Sequence, residues 1–161
     1  PAGKSIEERP ESINKRENIG DFEIDTVIQT RAKNECLLTL TDRKSRYQII
    51  RLIPDKSAFS VNQALKAILK DYQMNSITAD NGAEFSRLAE VFDPTHIYYA
   101  HPYSSWERGT NENHNRLIRR WLPKGSKNAT QQQVAFIENW INNYPKKLFN
   151  YKSPKEFLQT G

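Results

Sequence analysis

Three stretches in the first third of the chain are rich in residues that favour strands, and in the first of them polar and apolar residues alternate. The stretches are DFEIDTVIQ (21–29), ECLLTLT (35–41) and YQIIRLI (47–53). Alternation with a period of two is typical of strands that turn one face to a core. A turn-like segment, residues 42–45, joins the second stretch to the third. The pattern predicts a three-stranded antiparallel meander.

The middle of the chain changes to helical spacing and back. Residues 57–71 carry apolar side chains three and four positions apart, with Ser57 as the expected N-cap. A short apolar strand at residues 76–79 delivers Asp80 at its end, where α/β layers usually place ligand groups. Helical spacing returns over residues 83–91, and HIYYA (96–100) predicts another strand.

Three helices are predicted in the last third of the chain. They cover residues 112–122, 130–144 and 154–158, the last beginning at a proline, which favours the first helical position. Residues 1–19 mix charge, proline and glycine without periodicity. We therefore expect an N-terminal arm or linker over residues 1–19 and one folded domain over residues 20–161.

The composition is that of one globular domain. The chain has 161 residues, of which 37% are hydrophobic, and its mean hydropathy is −0.81. No apolar run approaches the roughly 20 residues of a membrane span, and no secretory signal is apparent, so we expect no membrane insertion. Because Cys36 is the only cysteine, no internal disulfide is possible and a reducing compartment is expected.

The distribution of charge favours a polyanionic partner. The formal net charge is +5 and the pI is about 9.3. Basic residues cluster at 43–46, 116–120, 124–127 and 146–155, while acids stand apart at Asp21, Glu23, Asp25, Asp80 and Glu84. Basic rims around separate acidic points suit a protein that binds a phosphate backbone and gathers cations at one place.

The helix predicted over residues 112–122 places one acid beside several arginines. At about 100° of rotation per residue, Glu112 shares a face, within roughly 80°, with Arg116, Arg119 and Arg120. The residues alone leave two interpretations open. The face can be a solvated one with weakly stabilising Glu/Arg pairs, or it can direct a carboxylate at a metal beside arginines that bind a polyanion.

Three acids also share one face of the first predicted strand. Asp21, Glu23 and Asp25 would repel one another unless they lie at an exposed strand edge or a cation neutralises them. Taken with Asp80 after a strand and Glu112 on a late helix, the order of elements is the layout of a ribonuclease-H-like α/β fold. That fold has a mixed five-stranded sheet, three antiparallel strands and then two parallel ones, flanked by helices.

Five motifs follow one another between residues 20 and 157. They are GDFEIDTV around Asp25, TLTDRKSRY from Thr39, TADNGAEF around Asp80, HPYSSWERGTNENHNRLIRRWLPKG from His101, and the tail NYPKKLFNYKSPKEF. Together they resemble the catalytic domain of DDE transposases of the insertion-sequence-thirty family, which are relatives of retroviral integrases. The resemblance covers nearly the whole predicted domain.

The resemblance implies a catalytic triad of Asp25, Asp80 and Glu112. It also implies two Mg²⁺ or Mn²⁺ ions, with Asp25 binding both and the other acids one each. Hard divalent cations prefer oxygen ligands, and two of them roughly 4 Å apart can stabilise the attacking and leaving oxygens of a phosphoryl transfer. Glu107, expected in a loop, and Glu84, expected in the first turn of a helix, are the other candidates for the third acid.

The activity implied by the resemblance is metal-dependent DNA cleavage and strand transfer during transposition of an insertion sequence. A cut at the transposon end would leave a 3′-hydroxyl, which would then attack target DNA. From the residues alone, a ribonuclease-H-like nuclease without strand transfer is an alternative, and so is a non-catalytic DNA-binding module. The resemblance further implies a bacterial, nucleoid-associated protein of the cytoplasm that acts as a homo-oligomer, although the isolated fragment can be a monomer.

Several basic and aromatic residues are candidates for contacts with DNA. Arg116, Arg119 and Arg120 would meet substrate phosphates, and Lys124 would contact the DNA backbone. In the preceding loop, Tyr103, Trp106 and Arg108 could stack on an unpaired base. Solvated helix charge and simple anchoring of the loop are the alternatives.

The remaining histidines and large aromatic residues have structural interpretations. His101 and His114 show no spacing typical of a zinc site, so both are expected to be structural. Phe59, Trp121 and Trp140 are expected in the core because of their size and apolar character.

Overall fold

A mixed six-stranded sheet forms the centre of the molecule. The structure is a computed structural model that describes residues 3–28, 35–102, 112–126 and 129–160, apart from the side chains of Ile28 and Glu112. The strands are β1 Lys4–Ser5, β2 Asp21–Ile28, β3 Cys36–Asp42, β4 Gln48–Ile53, β5 Ser76–Ala79 and β6 Ile97–Tyr99. Their order across the sheet is β1-β6-β5-β2-β3-β4.

The direction of the strands confirms the predicted ribonuclease-H-like arrangement. β2, β3 and β4 form an antiparallel meander, and β5 and β6 add in parallel on the other side of β2. The predicted count of five strands is one short, because β1 pairs in parallel with β6 at the edge of the sheet. A strand of two residues has no periodicity that a sequence pattern could reveal.

Helices pack on both faces of the sheet. They are α1 Glu11–Asn14, α2 Ala58–Ile68, α3 Glu112–Trp121, α4 Gln131–Asn142 and α5 Pro154–Thr160. On one face, Val61, Leu65 and Ile68 of α2 join a core with Phe22 and Ile24. The opposite face packs against α3 and α4 through a second core that includes Leu117, Ile118, Val134, Ile137 and Ile141.

Two hydroxyl caps fix where the longer helices begin. The Ser57 side chain accepts a hydrogen bond from the backbone N–H of Ser60 at the start of α2. At the start of α4, Thr130 and Gln133 form a reciprocal capping box. Each cap satisfies backbone donors that a helix otherwise leaves unpaired, so both boundaries follow from local sequence.

The segment predicted as a helix over residues 83–91 has a different structure. It contains two 3₁₀ turns, Ala83–Phe85 and Leu88–Glu90, and the prediction of a continuous helix is wrong. Phe85 and Leu88 are nevertheless fully buried, as the apolar spacing suggested. The polar residues of the first turn make contacts that bear directly on the site described below.

Two of the large aromatic residues expected in the core lie at the surface. Phe59 is 68% exposed and Trp121 is 43% exposed. Phe59 precedes the core position Val61 by two residues and therefore points to the opposite side of α2. Trp121 ends α3 and packs edge-on against Phe136 and Trp140. Of the three aromatic residues expected in the core, Trp140 is the one that packs against a core cluster.

The N-terminal arm lies against the sheet in the described part, from Gly3 onwards. Ile6 and Ile13 are buried, and Arg9, only 8% exposed, donates to Thr78 Oγ1 at 3.3 Å. Arg43 donates to the carbonyl oxygens of Ile13 at 3.2 Å and Asn14 at 3.4 Å. The arm thus covers the polar rows of the sheet face that also carries α3 and α4.

The outer edge of the sheet at β4 is closed by side chains of α4. Asn142 Oδ1 accepts from the Gln48 N–H and Glu138 Oε1 from the Ile50 N–H, both at 2.8 Å. These two bonds satisfy backbone donors that an edge strand would otherwise offer to another chain. They also fix α4, and with it the neighbouring α3, relative to the strands. None of the helices in the described ranges is long and apolar enough to cross a bilayer.

Candidate active site

The strand register brings the two predicted catalytic aspartates to the same level of the sheet. The last residues paired between β2 and β5 are Glu23 and Thr78. Asp25, inside β2, and Asp80, directly after β5, each follow that pair by two residues, so the register brings them to the same level of the sheet. Both side chains are half-buried.

Asp25 lies within its strand, β2, and not at the end of it. It is inside β2, because β2 continues beside β3 as far as Ile28 after β5 has ended at Ala79. The paired residues of β2 and β5 therefore end two positions before Asp25, while the pairing of β2 with β3 continues past it. This step in the sheet creates the position at which the two carboxylates can meet a ligand.

Each aspartate is oriented by a backbone N–H close to it in sequence. Asp25 Oδ1 accepts from the N–H of Thr26 at 2.9 Å. Asp80 Oδ1 accepts from the N–H of Gly82 at 2.7 Å. Each bond holds Oδ1 of its aspartate and thereby restricts the rotation of the whole carboxylate group.

Helix α3 meets the site at its N-terminal end. Glu112 is the first residue of α3, and its side chain lies outside the described atoms. Three residues later on the same helix face, Asn115 donates from Nδ2 to Asp25 Oδ2 at 3.4 Å. The start of α3 therefore lies beside Asp25. Asn115 is a site residue that the sequence reasoning missed, since only its spacing from Glu112 could have signalled it.

Glu84 is a third acid, close to the two aspartates, and its contacts were not predicted from the sequence. It is 5% exposed, and its Oε2 accepts from Thr26 Oγ1 at 3.0 Å and lies 3.3 Å from Lys56 Nζ. Glu84 does lie in a first turn, as expected, but in that of the short 3₁₀ helix Ala83–Phe85 and not of a continuous helix over residues 83–91. It is a buried carboxylate held between two parts of the chain.

The other two acids of the β2 face are used inside the protein. Glu23 is fully buried and forms an ion pair with Arg43. Asp21 is also buried and accepts from Ser76 Oγ at 2.6 Å. The interpretation of this face as an exposed strand edge is therefore wrong for both residues. Because Glu23 and Asp21 are bonded inside the protein, Asp25 is the acid of β2 that can belong to the candidate site.

His114 holds α3 against the sheet. Its Nδ1 lies 2.7 Å from Gln48 Oε1, and its side chain is 1% exposed. Burial, with smaller effects of Lys146 and Arg46, lowers the pKa of His114 to about 3, so the imidazole is neutral at physiological pH. This agrees with the structural role expected from the sequence. His101 is half-exposed, with Nε2 lying 3.3 Å from Glu7 Oε1 of the arm.

The candidate DNA-binding residues fall into two groups. Arg116 and Arg120 are exposed on α3 and Arg119 is partly exposed, while Lys124 is exposed in the turn that follows. Arg116 donates to Asn113 at 2.7 Å, and the Arg120 guanidinium lies 5.7 Å from the centre of the Trp140 ring. Tyr103, Trp106, Arg108 and the alternative acid Glu107 lie outside the described residues.

The described donors alone do not complete a metal site. Within residues 3–28, 35–102, 113–126 and 129–160, no group of three or more His, Cys, Asp or Glu side chains could hold an ion. The pair Asp25 and Asp80 supplies carboxylate oxygens of the kind that Mg²⁺ and Mn²⁺ prefer. Glu112, whose side chain lies outside that set, begins the helix whose next turn contacts Asp25.

Comparison with known proteins identifies relatives along almost the entire chain. The chain is 44% identical to a probable transposase for the insertion-like sequence element IS1161 of Streptococcus salivarius, over 98% of this chain and 46% of the relative. It is 40% identical to a transposase for insertion sequence element IS30C of Escherichia coli, over 99% of this chain and 43% of the relative. The chain is a homologue of the IS30 transposases. It spans about half the length of the relatives it matches.

The fold also matches a solved structure. The catalytic core domain of BIV integrase superposes with a TM-score of 0.68 over 88% of this chain and 95% of that domain, at 16% sequence identity. This likeness confirms the integrase-core, ribonuclease-H-like fold predicted from the order of elements. No protein-family model matches the chain.

Proposed function

We propose that this IS30 homologue is the catalytic domain of a transposase that cuts and joins DNA strands with the help of divalent metal ions. The observation that carries the proposal is the register that sets Asp25 level with Asp80 beside the start of α3. This arrangement occurs in a chain that is homologous to transposases over almost its whole length. DNA, as transposon end and as target, is the proposed substrate.

The carboxylates of Asp25, Asp80 and Glu112 are the proposed metal ligands. Three carboxylates and a scissile phosphate would balance the charge of two divalent ions. Two such ions, when bound, would supply Lewis-acid activation of the attacking oxygen and stabilisation of the leaving oxygen. The hydrogen bonds from the backbone N–H groups of Thr26 and Gly82 orient the two aspartate carboxylates for this role.

The residues around the acids support the reaction by holding them in place. Asn115 restrains Asp25 from the α3 side, and His114, through Gln48, holds α3 against the sheet. We propose that the exposed Arg116, Arg120 and Lys124 and the partly exposed Arg119 contact DNA phosphates. Their positions on one helix and the turn after it would place a DNA strand along α3, next to Glu112.

The proposal is tested by substituting the three acids in the full-length protein. Asp25→Asn, Asp80→Asn and Glu112→Gln each remove one charge with little change of shape, and Asp71→Asn, at an exposed acid just after α2, is the matched control. Labelled duplexes from the ends of the element are incubated with Mg²⁺, and cut and joined products are separated on a denaturing gel. Each site variant should lose both products, whereas Asp71→Asn should retain them.

The products also separate transposition from the alternatives. Strand joining by the wild-type protein supports the proposed transposase, while hydrolysis without joining would favour a nuclease. Binding to DNA without either product would leave only a DNA-binding module. Full activity of any one triad variant would remove that acid from the proposed site. Assembly into a homo-oligomer on DNA is part of the proposal, and light scattering of the complex checks it.

A further inference from the structure

The backbone alone does not fix the spacing of Asp25 and Asp80. Pairing between β2 and β5 ends at Glu23 and Thr78, and both aspartates lie beyond that point. On its other side β2 remains paired with β3 through Ile28. Asp25 is therefore held by the meander and Asp80 by its own turn, so a contact that joins β2 to this turn would set the distance between them.

Glu84 makes such a contact. Its Oε2 accepts from Thr26 Oγ1 at 3.0 Å, and the N–H of Thr26 in turn donates to Asp25 Oδ1 at 2.9 Å. Thr26 thus contacts both carboxylates, that of Asp25 through its N–H and that of Glu84 through its hydroxyl. Since neighbouring residues of a strand point to opposite faces, Glu84 reaches Thr26 from the face opposite to Asp25.

Glu84 is equally close to the turn that carries Asp80. A Cβ atom on Gly82 would overlap Glu84 Oε1 and would lie only 2.9 Å from Asp80 Oδ1. Both carboxylates therefore occupy the space beside Gly82 into which a side chain at that position would project. The turn itself is anchored to β6, because Tyr99 donates from its hydroxyl to the carbonyl oxygen of Phe85 at 2.5 Å.

The carboxylate of Glu84 is almost completely buried. A carboxylate that is 5% exposed is costly unless it is paired and hydrogen-bonded. Lys56, from the segment before α2, lies 3.3 Å away and offsets that cost. An apolar residue would fill the space at lower cost in desolvation but would not join the Asp80 turn to Thr26.

We propose that Glu84 is a positioning residue that sets the separation of Asp25 and Asp80 through its hydrogen bond with Thr26. The inference rests on the proposed function, since it concerns the same two aspartates. Glu84 acts through Thr26 and the Gly82 turn and is not itself a ligand. Residues that orient metal ligands typically affect metal affinity or activity about 10-fold to 100-fold when they are changed.

The test removes the hydrogen bond without removing a ligand. Thr26→Val keeps the shape of the side chain but lacks the hydroxyl, and Thr26→Ser, the matched control, keeps the hydroxyl. Mn²⁺ affinity is measured by isothermal titration calorimetry on the full-length protein without DNA. Thr26→Val should bind Mn²⁺ about 10-fold more weakly than the wild type, and Thr26→Ser should remain within about twofold.

Glu84 is tested in the same way. Glu84→Gln retains an oxygen that can accept from Thr26, whereas Glu84→Ala does not, so the Gln variant should keep more of the Mn²⁺ affinity than the Ala variant. In strand cleavage, the loss for Thr26→Val should fall on kcat, with the KM for DNA unchanged. Circular dichroism spectra establish that each variant is folded.

The outcomes separate this inference from the proposed function. If Asp80→Asn abolishes Mn²⁺ binding but Thr26→Val and Glu84→Ala bind as the wild type does, the positioning role is wrong and the metal site stands. Equal losses for Thr26→Val and Thr26→Ser would likewise overturn it. If Asp80→Asn itself binds Mn²⁺ normally, the metal site proposed for the function is wrong.

Discussion

His114 should make the stability of the protein depend on pH between 7 and 5. Gln48 Oε1 accepts from Thr41 Oγ1 at 2.9 Å, while Gln48 Nε2 donates to the carbonyl oxygens of Leu40 and Ile49. The amide oxygen therefore faces His114, whose Nδ1 must be the donor. Protonation would place a charge on Nε2, which is buried without a hydrogen-bond partner among the described residues.

The magnitude follows from the lowered pKa. Burial, assisted by Lys146 and Arg46, lowers the pKa of His114 from 6.5 to about 3. Below pH 6.5 the unfolded chain therefore binds a proton that the folded chain excludes, and stability falls as pH falls. The loss is about 1.4 kcal/mol per pH unit, or about 2 kcal/mol between pH 7 and pH 5. For a domain of this size this corresponds to roughly 4–8 °C in Tm.

The assay is urea unfolding at pH 7 and pH 5 in the presence of EDTA. His114→Asn retains an N–H donor for Gln48 but cannot titrate, so its free energy of unfolding should fall about 2 kcal/mol less than that of the wild type. His96→Asn, at a residue 56% exposed in its side chain, is the control and should keep the wild-type response. Equal losses for the wild type and His114→Asn would refute the assignment of a buried, neutral imidazole.

Two further predictions concern the aspartate site. Gly82→Ala should lower the free energy of unfolding by about 1–3 kcal/mol in chemical denaturation, because its Cβ would overlap Glu84 Oε1; a change within 0.5 kcal/mol, about the usual surface effect, would contradict the close packing. Mg²⁺ or Mn²⁺ should raise the Tm of the wild type by relieving repulsion between clustered carboxylates, and Asp80→Asn should lose much of that rise in a thermal-shift assay. An unchanged response in Asp80→Asn would argue against a shared metal site.

The main elements of the fold were predictable because their patterns are local. The alternation in β2, the strand-favouring runs of β3 and β4, and the caps at Ser57 and Thr130 depend on residues close together in sequence. All of these elements appear in the structure. Burial of individual aromatic residues was less predictable. Size favoured a core position for Phe59 and Trp121, but the face of the helix on which each lies placed both at the surface.

In the candidate site, too, residues that belong to local sequence motifs were predictable, whereas residues whose role depends on contacts distant in sequence were not. Asp80 follows a recognisable strand, and family motifs indicate the triad. In contrast, the roles of Glu84 and Asn115 depend on Thr26 and Asp25, which are far away in sequence. No local pattern distinguishes a glutamate that closes such a contact from one that caps a helix. The 3₁₀ turn at Ala83–Phe85 went unpredicted for this reason, since Glu84 points inward to β2.

The central claim is that Asp25, Asp80 and Glu112 form one divalent metal site at the step in the sheet. Anomalous diffraction from Mn²⁺-containing crystals of the protein bound to a DNA duplex tests it most directly. Two anomalous peaks roughly 4 Å apart should appear, with Asp25 contacting both ions and Asp80 and Glu112 one each. The absence of peaks at saturating Mn²⁺, or peaks that leave out any of the three carboxylates, would contradict the account.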